Sequence, residues 1–371
     1  MQPSPIAYAL PVFLLAIAVE AGVARWRGSR SYSLPDALTS LHFGYLSEVE
    51  RTLARLLVIA VYAAVYRTFH AFELPTNAWW VWVGTVLAYD FCYYWVHRFG
   101  HEVNLIWASH QVHHSSEYFN LSTALRQTGT GSLLKWPFYL GLAVIGVPPT
   151  VFAGAAFIDL LYQVWVHTEQ IGRLGWLDRV FVTPSNHRVH HGQNDYCIDR
   201  NYGGILILWD RLFGTYADER AAEPVVYGVR KPFHSYNPVW GNFVLYRELL
   251  VASRAQPTWR DALAVWFGPP QGWGAAVPHA DFKDFQRFEK PIPRGVRRAC
   301  LVQSALLTAA SVYYVLMATR LPWSGRLLSG GVILLAASLI GLQLEGRMAL
   351  HPRHWRLRAP DITPIPPEDT P

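Results

Sequence analysis

Two copies of the pattern His-x-x-His-His stand out: His110-Gln-Val-His113-His114 and His187-Arg-Val-His190-His191. A third group, His97 and His101, is spaced four residues apart. On an α-helix, residues three and four apart share a face, so each group aims two or three imidazoles at one place. Nine of the chain's fifteen histidines lie between His97 and His191, and eight of them fall in these groups. The ninth, His167, ends an apolar stretch and is a further candidate ligand. One zinc takes about three or four protein ligands, so eight or nine imidazoles imply two ions. The groups hold no thiolate, which disfavours copper(I) and iron–sulfur chemistry. Nor do Glu-x-x-His pairs dominate, as they would in a soluble di-iron bundle. Spacing alone leaves iron, zinc and manganese open. His42, His70, His279, His351 and His354 stand alone and read as ordinary hydrogen-bonded side chains.

The neighbours of these groups have readable roles. Asp90, Tyr94, His97 and His101 are spaced by four, three and four residues, which is one helical face. A carboxylate in a membrane helix needs a partner, so Asp90 is expected to accept either a ligand ring N–H or a donor from another helix. Asp159, Gln163 and His167 repeat this pattern at steps of four. Glu117 and Asn120 follow the second group at helical spacing and are candidates to orient ligands or complete coordination. The stretch 195–215, dense in Asn, Asp, Gly and aromatics, reads as a lid or as a packed turn supporting the third group. Arg126 and Arg188 sit beside the groups, for a lipid headgroup or for structural pairing.

The elements that position these residues are membrane helices. Of 371 residues, 51% are hydrophobic and only 16% charged, well below the roughly 25% of soluble chains. The apolar residues form seven blocks, at about 6–24, 52–69, 78–97, 133–147, 149–167, 297–319 and 327–345, close to the ~20 residues that cross a bilayer. The fourth is short for a full crossing. No basic residue precedes the first block and Glu20 interrupts its end, so it reads as a retained helix rather than a signal peptide. Arg25, Arg27 and Arg30 follow the first block, and Arg347, Arg353, Arg356 and Arg358 follow the last, whereas 70–77 carry no Lys or Arg. The positive-inside rule then puts the N-terminus outside, the C-terminus inside, and 98–132 and 168–296 on the cytoplasmic side. Because the net charge of +6 is explained by these connecting segments, no nucleic-acid partner is expected. Sixteen Trp fit interfacial belts. Three scattered cysteines, Cys92, Cys197 and Cys300, indicate neither a disulfide framework nor a zinc ribbon.

The expected fold is therefore all-α: a multi-helix transmembrane bundle with a cytoplasmic, histidine-rich, di-metal helical cap. Its expected divisions are membrane helices at 1–77, a catalytic region at 78–240, an interfacial segment at 241–296, membrane helices at 297–345 and a cytoplasmic tail at 346–371.

Around the histidines the text is more specific. Tyr93-Tyr94-Trp95-Val96-His97-Arg98, the run from His110 through Glu117 and Asn120 to Arg126-Gln127, and Thr183-Pro-Ser-Asn-His187 onward to Trp209-Asp-Arg-Leu-Phe-Gly-Thr215 resemble the alkylglycerol monooxygenase family. That family lies within the fatty acid hydroxylase and sterol desaturase superfamily of integral membrane di-iron oxygenases. The likeness covers roughly 40–240 and is dense between 90 and 216. It implies two iron ions held by His97, His101, His110, His113, His114, His187, His190 and His191, with acidic residues needed at Glu102 and Glu117. It also implies dioxygen as co-substrate, tetrahydrobiopterin as electron donor and cleavage of an alkylglycerol ether. Asn186 stands where the animal members are expected to have a further histidine. Within the superfamily, the alternative is hydroxylation or desaturation of a fatty acyl, sterol or carotenoid lipid with a redox-protein partner. A metal transporter or sensor would instead set ionisable ligands along a path near the bilayer midplane. Here they sit at helix ends and in a polar segment.

Overall fold

The computed structural model describes residues 5–272 and 279–348, so Trp273, His351, His354 and most of the tail lie outside the described residues. Helix α1 spans Pro5–Trp26, α2 Leu34–Phe69, α3 Trp79–Glu102 and α4 Asn104–His114. Short helices α5 (Leu121–Ala124), α6 (Ser132–Lys135) and α7 (Leu140–Ile145) lead to α8 (Pro149–Trp165). Beyond them come α9 (Pro184–His190), α10 (Leu208–Phe213), α11 (Pro238–Arg254), α12 (Trp259–Phe267), α13 (Arg294–Met317) and α14 (Trp323–Leu344). Among the described residues there is no strand, only two isolated bridges, Phe181 with Leu206 and Gly192 with Tyr227. The all-helical expectation holds.

Among the described residues, three helices are long and apolar enough to cross a membrane: Ala9–Trp26 within α1, α13 and α14. A fourth span arises if α2, bent by 47° between Ala54 and Leu56, counts as one. The block expected at 52–69 is thus the second half of a 36-residue helix. The block at 133–147 is no straight helix: Pro137 sits in a 3-10 turn at Trp136–Tyr139, and Gly146, at φ 113°, ends the segment. Pro lacks the N–H that a continuing helix needs, and positive φ is costly for any residue but Gly. The blocks at 78–97 and 149–167 form α3 and α8, which pack against each other. Their approach is close, since a Cβ on Gly154 would lie 2.3 Å from the Trp82 ring.

Apolar packing fixes the scaffold in two main places. One core joins α2, α13 and α14 through Leu46, Val49, Leu307, Ile333 and Ile340. The other joins α2, α3, α7 and α8 through Tyr62, Val81, Val96, Leu142 and Val151. Between them the polar ends of α3, α4, α8 and α9 meet and bury the histidines.

Candidate metal centre

Helix α4 ends at His114 and α9 at His190, so each His-x-x-His-His group occupies the last turn of a short helix. α9 begins with a capping box: Asn186 Oδ1 accepts the Thr183 N–H at 3.1 Å and the Thr183 hydroxyl at 3.0 Å. Asn186, where the resemblance implies a further histidine in animal members, thus helps cap the helix that carries the third group.

Two adjoining clusters result. His97, His101, His110, His114 and His190 form cluster A, and His113, His167, His187 and His191 form cluster B; within each, one ring nitrogen per histidine lies within 4.8 Å of all the others. The clusters touch where the His114 and His191 rings stack, with centroids 4.4 Å apart. Each His-x-x-His-His group is split. His110 and His114 face A while His113 faces B; His187 and His191 face B while His190 faces A. The i,i+4 pair stays together, and the residue between them, about 100° round the helix, joins the other cluster.

Hydrogen bonds behind the rings set their tautomers. Nδ1–H donates to a main-chain carbonyl in His97 (Tyr202 O, 2.8 Å), His190 (Arg200 O, 2.9 Å), His113 (Arg126 O, 3.1 Å) and His167 (Gln163 O, 2.7 Å). Each Nε2 then carries a bare lone pair turned inward. His113 and His167 present these lone pairs to each other at 3.3 Å, and His167 also faces His187 Nε2 at 3.0 Å. One unprotonated nitrogen cannot donate to either neighbour. Nε2 of His97, His101 and His190 is buried with no hydrogen-bond partner among the described residues. One cation in each cluster would satisfy these atoms. With metal–nitrogen bonds of about 2.1 Å, neighbouring ligands roughly 90° apart sit ~3.0 Å from each other, which the observed spacings match.

All nine rings are buried or nearly so; His101, the most open, keeps 10% of its side chain exposed. Burial, reinforced by neighbouring imidazoles, holds His110, His113, His114, His187 and His191 well below the ordinary histidine range. Burial alone brings His190 down to about 4. Neutral imidazole is the form that binds metal.

The other expected residues lie around this centre. Asp90 accepts no ligand proton; it takes the Ile205 N–H (2.7 Å), the Leu206 N–H (3.0 Å) and the Trp209 indole N–H (2.9 Å). It pins the loop whose Tyr202 carbonyl holds His97. Asp159 accepts from Gln163 at 2.5 Å, and across Gly204 the two acids face each other. Glu102 pairs with Arg98 at 2.8 Å. Because α4 stops at His114, Glu117 and Asn120 are not at helical spacing from the second group. Glu117 accepts the Phe288 N–H, and Asn120 caps α5 through the Ser122 N–H at 3.0 Å. None of these three belongs to either cluster. Tyr94 bonds Thr215 at 3.0 Å, and the stretch 195–215 is largely a packed support for the third group.

Arg126 and Arg188 are structural. Arg126 meets Asp36 at 2.9 Å. Arg188 grips Glu219 with two bonds (2.7 and 2.8 Å) and donates to Thr168 O and Ile171 O, tying α9 to the chain just after His167. Burial raises the Glu219 carboxyl, but the Arg188 guanidinium outweighs it and holds the group below its ordinary value. Sequence reading missed Glu219, and it missed Asp210, which accepts the Tyr202 and Gly203 N–H groups at 2.7 and 2.8 Å. The only signal for Asp210 was its place in Trp209-Asp-Arg; Glu219 had none.

Residues 82–215 match the fatty acid hydroxylase family. Alkylglycerol monooxygenase of Danio rerio is 41% identical over 297 residues, 78% of this chain and 65% of the relative. The Homo sapiens alkylglycerol monooxygenase is 42% identical over 278 residues, 74% of this chain and 61% of the relative. Ornithine lipid hydroxylase OlsE of Rhizobium tropici is 33% identical over 175 residues, 43% of this chain and 49% of the relative. The chain thus spans at most 65% of the length of these relatives. No solved structure matches it.

Proposed function

Because the chain holds a fatty acid hydroxylase domain at 82–215 and is alkylglycerol monooxygenase-like over most of its length, we propose that it is a membrane-bound di-iron monooxygenase of alkylglycerols. The observation that carries this reading is the division of nine histidines into two adjoining clusters with inward lone pairs. His97, His101, His110, His114 and His190 would hold one iron, and His113, His167, His187 and His191 the other. Imidazole donors suit iron. When bound, the irons supply the four-electron reduction of dioxygen that places a hydroxyl on the carbon next to the ether oxygen. Two of those electrons come from the lipid C–H bond and two from a donor, a reduced pterin such as tetrahydrobiopterin, with water as the second product. The hemiacetal then collapses to a fatty aldehyde and a glycerol derivative.

The chain's own part is orientation and exclusion. Carbonyls of Tyr202, Arg200, Arg126 and Gln163 fix four rings, Arg188 locks α9, and burial keeps bulk water from the reacting carbon. Glu102, Glu117 and Asn120 serve by holding neighbouring chain in place. In this reading 78–240 is the catalytic region, 1–77 and 297–345 hold it in the bilayer, 241–296 lies along the interface and 346–371 is the tail. The centre faces the cytoplasm, the side given to the basic segments that follow the first and last apolar blocks.

The test is direct. Purified, iron-loaded protein given oxygen, a reduced pterin and an alkylglycerol should release aldehyde. The likeness to OlsE favours a second reading, and a hydroxylated lipid with every ether intact, made with a redox-protein donor, would establish it instead. No product with any reductant and lipid would overturn both.

A further inference from the structure

Glu20 is a buried acid outside both clusters and outside the family match at 82–215. It lies within the candidate membrane span Ala9–Trp26 of α1 and is only 6% exposed. A carboxylate in a membrane helix is costly unless it is held, and it marks function more often than packing. Three donors from three segments converge on it. Oε2 accepts the Tyr32 hydroxyl at 2.5 Å and the Leu121 N–H at 2.7 Å, and Oε1 accepts the Thr168 hydroxyl.

Two of these donors lead to ligands of cluster B. Thr168 follows His167. Of the nine histidines, His167 alone lies beyond its helix and that helix's cap, because α8 ends at Trp165 and is capped by Val166. The other eight lie within α3, α4 or α9, or cap α9. Gln163 O orients the His167 ring, but no helical ladder fixes the direction in which the chain leaves it. The next residue does: Thr168 is tied to α1 by its hydroxyl and to α9 by its carbonyl, which accepts from Arg188 at 3.0 Å. Leu121 opens α5, and the first N–H groups of a helix have no partner within it. Glu20 takes that N–H, and further along the same segment the Arg126 carbonyl holds His113 Nδ1 at 3.1 Å. His113 and His167 present Nε2 to each other at 3.3 Å. One carboxylate thus braces two of the four ligands of cluster B, and none of its three partners adjoins a cluster A ligand in the chain.

The connector from α1 to α2 repeats the pattern. Arg27 donates to Gln170 O at 3.0 Å, and Ser31 O accepts from the Asn120 amide at 2.6 Å. The same two segments are therefore seated twice on chain that precedes the family match. We infer that Glu20 is a positioning residue for cluster B, through which the N-terminal membrane helix sets His167 and His113 for the second ion. This rests on the two-ion reading above. It adds that cluster B is completed from outside the fatty acid hydroxylase match.

The experiment uses the full chain in lipid nanodiscs, freed of metal and titrated with cobalt(II), whose visible absorption reports its ligand set. Wild type should take up two equivalents. Glu20→Ala should weaken about tenfold or more the equivalent that His191→Ala weakens, and leave within about twofold the one that His114→Ala weakens. Thr168→Val, which keeps the branched shape but not the hydroxyl, should reproduce the effect, and Thr168→Ser should keep tight binding. Adding Thr168→Val to Glu20→Ala should weaken that equivalent little further, since both changes remove one contact. A tether that merely holds α1 would lower the unfolding midpoint without separating the two equivalents. Two equivalents weakened alike, or neither changed, therefore overturns the proposal. Should Glu20→Ala fail to fold, Thr168→Val and Thr168→Ser decide by the same criterion. Fewer than two equivalents in wild type overturns instead the two-ion reading on which the proposal rests.

Discussion

Replacing Asp90 tests how the scaffold reaches the histidines. Its carboxylate accepts Ile205 N–H, Leu206 N–H and Trp209 Nε1–H at 2.7, 3.0 and 2.9 Å, in a site only 1% exposed. Asp90→Ala leaves three half-buried donors without this acceptor. Hydrogen bonds to a charged group contribute about 1.5–3 kcal/mol each. Their simple sum overstates the loss, since bonds to one group are not additive and the loop can relax. We expect a destabilisation of about 4 kcal/mol, and about half of that for Asp90→Asn, which keeps one carbonyl oxygen but turns an amide N–H towards donors. At roughly 2 °C per kcal/mol for a chain of this size, Asp90→Ala should lower the unfolding midpoint by about 8 °C. The loop also carries the Tyr202 carbonyl that orients His97, and the Arg200 carbonyl that orients His190 lies just before it. Both belong to cluster A, so of the two iron equivalents proposed above one should bind about 10–100-fold more weakly while the other is unchanged. The assays are thermal unfolding in nanodiscs and iron titration. An Asp90→Ala protein that melts within about 1 °C of wild type and binds both equivalents normally would refute the reasoning.

Other outcomes follow from the same geometry. His114→Ala should weaken one iron equivalent and His191→Ala the other, because these adjacent residues serve different clusters; identical iron titrations for the two variants would contradict the split. Glu219 is held below its ordinary value, so its ion pair with Arg188 stabilises the fold above the unfolded carboxyl value and is lost as pH falls through the lower folded one. Glu219→Gln should therefore be less stable than wild type at pH 7, with the gap closing as the pH drops below the usual glutamate range; a gap independent of pH would count against the clamp. Gly204→Ala places a Cβ 2.8 Å from Asp159 Oδ1 and 2.9 Å from Asp90 Oδ1, and should cost about 1–3 kcal/mol in chemical denaturation. Stripping metal with a chelator should lower the melting temperature reversibly, and equal melting of both forms would tell against a bound ion.

Some of the site was legible because helical periodicity writes it into local spacing. His110 with His114 and His187 with His191 are one turn apart, and a helix puts such pairs on one face whatever surrounds it. Other features carried no local signal. The carbonyls of Tyr202 and Arg200 are found at every residue, and only the path of the loop makes them acceptors for His97 and His190. Asp90 was visible as a membrane-buried acid in need of a partner, but the choice between a ligand ring and a distant loop depended on a contact 115 residues away. Glu117 and Asn120 looked helical because nothing in their spacing marks where α4 ends.

By itself the sequence determined that this chain is helical, lies in a membrane and carries enough imidazole for two ions, since hydropathy and side-chain chemistry depend on residue type. It also made His167 a candidate ligand. Only the tertiary structure decided how the nine were shared. His113 points about 100° away from His114 on one helix, so it needs a second surface to converge on. That surface exists because α8 and α9 bring His167, His187 and His191 to the same point. Spacing along the chain supplies the pairs; packing between helices turns them into two centres rather than one.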